Sequence, residues 1–277
     1  MATIRQIKEK QTSIISINKI TKAMQLVSTA KAQKAIRALR NYESYYLKVE
    51  SIVNQIVIGT KQKSDFKGIY WIAIMSDLGL AGGYNAKIIK LLLSNISAKD
   101  EVLVIGLKGK NLEEKLPKNK VTVISVNQVE NTSNLSWIQT TIQSAYRDND
   151  LKIKVIYTKF ISQIEFEPLI KTLLPIKIDQ EDLEKIPVKK TLVLTEFEPD
   201  KETLLREIED TYIQALMIGL HREAQASEQT SRRIAMENAT TNGNDLLKEL
   251  NVAYNRTRQA KITQELSEII GGAEALK

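Results

Sequence analysis

The sequence predicts an α/β unit inserted between two long terminal helices, which pair as an antiparallel coiled coil. Three observations predict this fold class. Both ends of the 277-residue chain are long segments that lack proline and space their apolar residues as helices do. Between them, short β-branched segments alternate with helical patterns, which is typical of a mostly parallel sheet. Aromatic residues (5%) and prolines (5) are scarce, which favours helices over a β-sandwich.

The N-terminal segment, residues 1–60, is predicted to be one long helix. Neither proline nor glycine occurs from Ala2 to about Val57. Apolar residues recur at spacings of three, four or seven, which predicts one apolar stripe: Ile7, Ile14, Ile17, Ile20, Met24 and Val27. Such a helix would be roughly 80 Å long, so it needs a partner outside a small domain.

The middle segment, residues 61–200, is predicted to be the α/β domain. Strands are expected at Ile69–Ser76, Glu101–Gly106, Val121–Val126 and Ile153–Phe160, with a further strand at Thr191–Phe197 as an added, antiparallel edge. Helices are expected near Ala86–Ile96, Gly109–Leu116 and Leu135–Arg147.

The C-terminal segment, residues 201–277, is predicted to be a second long helix of roughly 100 Å. Proline is absent from Lys201 to Ala275, and helical spacing is kept by Leu205, Ile208, Tyr212, Leu216, Leu247, Leu250 and Tyr254. Two such helices at opposite ends of the chain predict an antiparallel pair, in which each supplies the partner that the other's stripe needs. Since the repeat is not a strict heptad, the pairing is expected to be irregular.

Composition excludes several classes of site. The chain has no cysteine, which excludes disulfides, thiolate zinc sites and cysteine nucleophiles. The net charge is +7, and residues 1–40 carry nine Lys or Arg residues against the single acid Glu9. A basic end indicates an acidic partner, which can be nucleic acid, a membrane surface or an acidic protein face. No signal peptide or transmembrane run is present, so we expect a soluble cytoplasmic protein.

Two sequence features raise the question of catalysis. The stretch SDLGLAGGYN (Ser76–Asn85) follows a strand and precedes a helix, where glycines can cradle a phosphate. Its G-x-x-G-G spacing matches neither common phosphate-binding motif, which favours a tight turn using Gly79, Gly82 and Gly83. His221 is the only histidine, and Glu223 and Glu228 near it are interpreted as a solvated helix face. We therefore expect no catalytic residue, cofactor or metal.

Five strings occur in an order that resembles the gamma subunit of rotary F-type ATP synthases. They are KITKAMQLVSTAKAQKA (Lys19–Ala35), SDLGLAGGYN, FEP (Phe197–Pro199), SEQTSRRIAMENATTNGNDLL (Ser227–Leu247) and YNRTRQAKITQELSEIIGGA (Tyr254–Ala273). The resemblance is strong at both ends and covers the middle at the glycine turn and the strand pattern. Family members usually have Arg where Leu78 stands, often Cys where Ala81 stands, and commonly His where Gln229 stands.

The resemblance implies a coiled coil with a Rossmann-like α/β domain at one side, acting as the central rotor shaft. One copy would stand in a hexamer of alpha and beta subunits, which carry the nucleotide sites, with the epsilon subunit and an ion-driven membrane ring at its foot. It implies a non-catalytic subunit without cofactor or nucleic acid, peripheral on the inner face of the cell membrane. The alternatives are the shaft of a soluble motor without a ring, a nucleotide-dependent α/β enzyme using the glycine turn, and a basic coiled-coil nucleic-acid binder.

The resemblance also assigns partner-binding residues. Met24 matches a methionine near the acidic lever of the beta subunit, and Lys19 and Lys22 flank it. Glu198 matches a position at the foot. Four residues near the C-terminus match family positions that contact the hexamer: Arg258, Gln259, Thr263 and Glu265. On this interpretation, an apolar set lines the partner helix and the surrounding sleeve: Ile262, Leu266, Ile269 and Ile270.

Overall fold

The computed structural model describes residues 3–57, 64–126, 132–176, 198 and 200–274. A mixed α/β sheet lies between a long N-terminal and a long C-terminal helix, as predicted. The elements in chain order are α1 Ile4–Val57, β1 Gly68–Ile74, α2 Tyr84–Leu93, β2 Glu101–Ile105, a short 3₁₀ turn Leu107–Gly109, α3 Leu112–Lys115, β3 Lys120–Ile124, α4 Thr132–Arg147, β4 Leu151–Phe160, β5 Phe166–Leu174 and α5 Lys201–Glu274.

Local capping sets where both long helices begin. At the start of α1, the Gln6 main-chain N–H donates to the Thr3 hydroxyl at 3.3 Å, and the Thr3 N–H donates to the Gln6 side-chain oxygen at 2.9 Å. This reciprocal pair is a capping box. At the start of α5, the Thr203 N–H donates to the Asp200 carboxylate at 2.9 Å. Both caps satisfy amides that have no partner within their own helix.

The sheet has the strand order β3-β2-β1-β4-β5. Strands β1 to β4 pair in parallel, and β5 pairs antiparallel with β4. The predicted strands at Ile69–Ser76, Glu101–Gly106, Val121–Val126 and Ile153–Phe160 correspond to β1 to β4. The antiparallel edge is β5, which was not predicted, whereas the strand expected at Thr191–Phe197 lies outside the described residues. Pro168 lies in β5, where an edge position tolerates a missing N–H.

The chain divides into two compact units, Met1–Ser28 with Arg232–Lys277, and Thr29–Ser231. The second unit contains the sheet and an apolar core on each of its faces. One core joins Tyr70, Ile72 and Ile74 of β1 to α4 and α5, and the other joins Trp71 and Ala73 to α2. Successive residues of β1 point to opposite faces, and both faces are covered. The predicted domain limits at residues 60 and 200 fall beside stretches outside the described residues, so they stay predictions.

Within the described parts of the chain, none of the helices is long and apolar enough to cross a lipid bilayer.

Candidate partner-binding surfaces

In the first unit, polar side chains join α1 to α5. The Gln11 amide donates to the Asn251 side chain at 2.8 Å, and the Asn18 amide donates to the Asn244 side chain at 2.9 Å. A third pair joins the hydroxyls of Thr21 and Thr240 at 2.8 Å. A residue nearer the start of α1 therefore pairs with a residue nearer the end of α5, so the two helices are antiparallel in this unit.

The predicted apolar stripe of α1 is only partly correct. Ile7 is buried and Ile14 is half-buried, but Ile17, Ile20 and Val27 are 55%, 60% and 54% exposed. Seven buried or half-buried positions follow a regular heptad spacing instead: Ile7, Gln11, Ile14, Asn18, Thr21, Gln25 and Ser28. The residues that face α5 are thus mostly polar, and three apolar residues of the predicted stripe lie on the outer surface, namely Ile17, Ile20 and Val27.

The predicted contact residues of α1 lie on its surface. Lys19 and Lys22 are exposed, three positions apart, and therefore share one face of the helix. The Lys22 ammonium donates to the Gln25 side-chain oxygen at 3.1 Å. Met24 is half-buried. These two ammonium groups are accessible to a partner, and Met24 is partly covered within the unit.

The predicted contact residues of α5 are also exposed, namely Arg258, Gln259, Thr263 and Glu265. The Thr263 hydroxyl donates to the Gln259 carbonyl at 3.0 Å, and Glu265 lies 3.6 Å from the ammonium of Lys261. Both contacts are local to the helix. The side chains that the sequence assigns to a partner are therefore presented along one exposed helical segment.

The last apolar residues of α5 were expected to line both α1 and a surrounding sleeve. The expectation for α1 is wrong, and the expectation for the sleeve stays a prediction. By the register of the three polar pairs, the start of α1 at Ile4 lies level with Arg258 of α5. Four apolar residues of α5 lie beyond that level, and their side chains are 48%, 55%, 68% and 61% exposed: Ile262, Leu266, Ile269 and Ile270. This segment of α5, residues 262–274, is called the C-terminal overhang below.

Glu198 is exposed and lies in a bend before α5.

In the second unit, the glycine-containing turn after β1 is built around Asp77. The Asp77 carboxylate accepts hydrogen bonds from the Leu107 N–H at 2.9 Å, the Val126 N–H at 3.0 Å and the Ser125 hydroxyl at 2.5 Å. Gly82 has a φ of 55°, a left-handed conformation that suits glycine. The turn that the sequence favoured is therefore present, and its organising residue, Asp77, was not predicted from the glycine spacing.

An open cleft of about 940 Å³ lies beside this turn. Its lining includes Asp77, Leu78 and His221, together with residues from α1. His221 is buried, with 6% of its surface exposed. Within the described residues, no group of three or more His, Asp or Glu side chains is placed to hold a metal ion.

The interpretation of Glu223 and Glu228 as a solvated helix face is wrong. Glu228 is only 8% exposed, and Glu223 is half-buried beside Tyr157 of β4. Burial raises the pKa of Glu223 to about 6, against the lowering effects of Lys159, the Tyr157 hydrogen bond and Lys171. This part of α5 packs on the sheet. The presence of glutamates on the helix therefore did not mean that their side chains face solvent.

The same buried region holds an ion pair between an edge strand and α1. The Lys171 ammonium of β5 lies 2.6 Å from the Glu50 carboxylate of α1. Burial also raises the pKa of the Tyr157 hydroxyl, and the nearby Glu223 raises it further. The sequence signal for this pair was a charge within a strand, since a lysine such as Lys171 requires a partner when it is partly covered.

The fold and these surfaces define a class of protein, namely one with two long terminal helices around an α/β sheet and candidate contact residues on exposed helical faces. The family model described as ATP synthase matches residues 3–276. An ATP synthase gamma chain from Mycoplasma mycoides subsp. mycoides is 38% identical over 292 aligned residues, which cover 99% of both chains. One from Clostridium novyi is 35% identical and covers 97% of this chain and 96% of the relative.

The fold agrees with these sequence matches. A chain in the cryo-EM structure of the Euglena gracilis mitochondrial ATP synthase, OSCP/F1/c-ring, aligns with a TM-score of 0.71 at 18% identity, covering 99% of this chain and 94% of that one. The chain belongs to the ATP synthase gamma chain family. The resemblance drawn from its sequence is thereby confirmed. Gamma chains are the non-catalytic rotor subunits of the F-type complex, in which catalysis occurs on beta subunits.

Proposed function

We propose that this chain is the central rotor shaft of a rotary F-type ATP synthase, with its long helices paired as an antiparallel coiled coil inside a hexamer of alpha and beta subunits. The observation that carries the proposal is the match to gamma chains along nearly the whole chain. The epsilon subunit and the membrane ring are the proposed neighbours at the foot, where Glu198 is the candidate contact. As part of this complex, the chain would lie peripherally on the inner face of the cell membrane.

The arrangement of α1 and α5 supports the coiled-coil part of this proposal. In the three cross-helix polar pairs, the residue numbers rise along α1 while they fall along α5, as they do in an antiparallel pair. Between Ile7 and Ser28, buried or half-buried positions of α1 repeat with the spacing of a coiled-coil seam. The parallel strands with helices on both faces support a Rossmann-like description of the inserted domain.

The proposed mechanism is differential contact during rotation. A shaft shifts the conformations of the surrounding beta subunits only if it contacts each of them differently at a given angle. Lys19 and Lys22 lie on one side of α1 and are exposed, so they supply an asymmetric positive charge. An acidic segment of the facing beta subunit would meet that charge at one angle and lose it at the next.

The outward apolar residues of α1 and the C-terminal overhang fit the same mechanism. Ile17, Ile20 and Ile262 are about half exposed in the chain alone, at 55%, 60% and 48%. An apolar sleeve around them would bury this surface without fixed hydrogen bonds, so successive angular positions would have similar free energies. The comparisons do not favour the alternative of a shaft in a soluble motor without a ring.

Co-purification tests the assignment. The tagged chain, expressed with its alpha and beta subunits and the membrane subunits, should be recovered in one copy per alpha–beta hexamer together with the ring. Recovery of the hexamer without the ring would instead support the soluble motor. A chain that is recovered alone under these conditions would contradict the assignment to a rotor.

Charge neutralisation tests the mechanism. In the assembled complex, Lys19→Gln with Lys22→Gln should change the ATP hydrolysis rate or the torque under load by on the order of twofold to fivefold, the effect of losing about 1 kcal/mol of charged contact. Lys110→Gln with Lys118→Gln removes the same charge from exposed positions in the α/β domain and is the control. Equal effects of the two double variants would contradict the proposed role of α1.

A further inference from the structure

The Asp77 carboxylate accepts hydrogen bonds from three groups that follow two other strands. Leu107 follows β2, and Ser125 and Val126 follow β3. The main-chain N–H groups of Leu107 and Val126 and the Ser125 hydroxyl donate to the Asp77 carboxylate over distances of 2.5–3.0 Å. The short distance from the Ser125 hydroxyl is that of a charge-assisted hydrogen bond to an anion.

These donors lie at the edge where α/β folds commonly bind the phosphate groups of ligands. In a parallel sheet, the loops that follow the strands meet at the carboxyl ends, and their amides form concave anion sites. Here the loops after β2 and β3 converge on one carboxylate from the loop after β1. These three donors, the N–H groups of Leu107 and Val126 and the hydroxyl of Ser125, are called the cradle below. The anion that the cradle holds is the carboxylate of Asp77, a residue of the same chain.

Close packing of the main chain fixes the cradle. Gly106, with a φ of 131°, precedes Leu107, and a Cβ added at this position would lie 2.5 Å from the Met75 main-chain carbon. The Gly106 N–H donates to the Ile124 carbonyl at 2.7 Å, and the Met75 N–H donates to the Ile105 carbonyl at 2.7 Å. The ends of β1, β2 and β3 are thus held together independently of the Asp77 side chain.

The cradle opens into the cleft of about 940 Å³, which is lined by Asp77, Leu107, Ser125 and Val126. The cleft therefore offers solvent access to the donors. The side chains of Lys31 and Lys34 from α1 also line it and contribute positive charge. A small tetrahedral anion could reach the cradle from this side if the carboxylate did not fill it.

We propose that the loops after β2 and β3 form a latent phosphate-binding cradle and that the Asp77 carboxylate occupies it in place of a ligand. The chain then rejects phosphate groups for two reasons, since the donors are already used and the carboxylate repels a second anion. Removing the Asp77 side chain beyond Cβ exposes the donors and creates a site for inorganic phosphate.

The test compares Asp77→Ala with Asp77→Asn in the full-length chain. The alanine variant empties the cradle, whereas the asparagine side chain has a similar size and keeps an acceptor oxygen in place without the charge. Titration with inorganic phosphate, followed by calorimetry and ³¹P NMR, should show saturable binding to Asp77→Ala, with a Kd on the order of millimolar. The wild type and Asp77→Asn should show none. Adding Ser125→Ala to Asp77→Ala should weaken binding several-fold.

Two results would overturn the proposal. One is a folded Asp77→Ala chain that does not bind phosphate. The other is equal binding to Asp77→Asn, because loss of charge in the cleft would then suffice without an empty cradle. If Asp77→Ala does not fold in ordinary buffer, its refolding with increasing phosphate is compared with that of Asp77→Asn, since phosphate also stabilises proteins non-specifically. Selective recovery of the alanine variant supports the proposal, and failure to recover it contradicts it.

Discussion

At the scale of single residues, Glu223 shows how burial changes the chemistry of an ordinary carboxyl group. The usual pKa of 4.5 rises to about 6 because of burial, to which Glu43 adds, while Lys159, Tyr157 and Lys171 oppose the rise. Between these two pH values the folded chain binds more protons at this site than the unfolded chain does. The free energy of unfolding therefore falls as pH rises through this window.

The variant Glu223→Gln should remove this pH dependence. The stability of Glu223→Gln relative to the wild type should rise by up to about 2 kcal/mol between pH 4.5 and pH 7, because only the wild type has to ionise a buried carboxyl. Urea unfolding at half-unit pH steps measures the difference. Glu113→Gln, which removes an exposed carboxyl from α3, controls for the loss of one charge. A constant difference between Glu223→Gln and the wild type across the window would show that Glu223 does not ionise as described.

At the scale of helices and strands, the sequence predicted the elements better than their contacts. Both long helices and strands β1 to β4 were found from apolar spacing, because that spacing reports local geometry. Strand β5 was missed because Pro168 and the charges within it obscure a strand pattern that edge pairing permits. Ile17 and Ile20 were assigned to the wrong face because spacing alone does not say whether an apolar residue faces its own chain or another.

The same distinction applies to the proposed contact residues. Lys19 and Arg258 were identified through resemblance to a family, since exposed polar residues carry no periodic signal of a partner. Asp77 and Glu223 were not identified as important, because their surroundings combine segments that are distant in sequence. Asp77 binds groups from residues 107, 125 and 126, and such convergence is a property of strand order.

The C-terminal overhang of α5 should be less ordered in the isolated chain than in the assembled complex. Residues 262–274 lie beyond the level at which α1 begins, and helices gain most of their stability from packing of an apolar face. Hydrogen–deuterium exchange should therefore be fast in this segment of the isolated chain and at least tenfold slower in the complex. Residues 236–250, which lie opposite α1, are the internal reference. Equal protection of both segments in the isolated chain would contradict the prediction.

At the scale of the whole molecule, the two compact units are stabilised by different interactions. The second unit has extensive apolar cores on both faces of its sheet, with Ile72 and Leu103 fully buried. The first unit joins its helices largely through polar pairs such as Asn18 with Asn244. A net hydrogen bond contributes about 0.5–1.5 kcal/mol, whereas burial of one large apolar side chain contributes about 1.5–3 kcal/mol. The first unit should consequently unfold at a lower denaturant concentration.

Two spectroscopic signals can separate these events, because both tryptophans, Trp71 and Trp137, lie in the second unit. In urea, helical circular dichroism of the isolated chain should fall in a first transition while tryptophan fluorescence stays native until a second. The cysteine-free chain also permits a selective control, since the hydroxyls of Thr21 and Thr240 lie 2.8 Å apart. An oxidised Thr21→Cys, Thr240→Cys variant should move only the first transition to higher urea, and reduction should reverse the shift. Coincident transitions by both signals would mean that the polar helix pair and the sheet unfold as one cooperative unit.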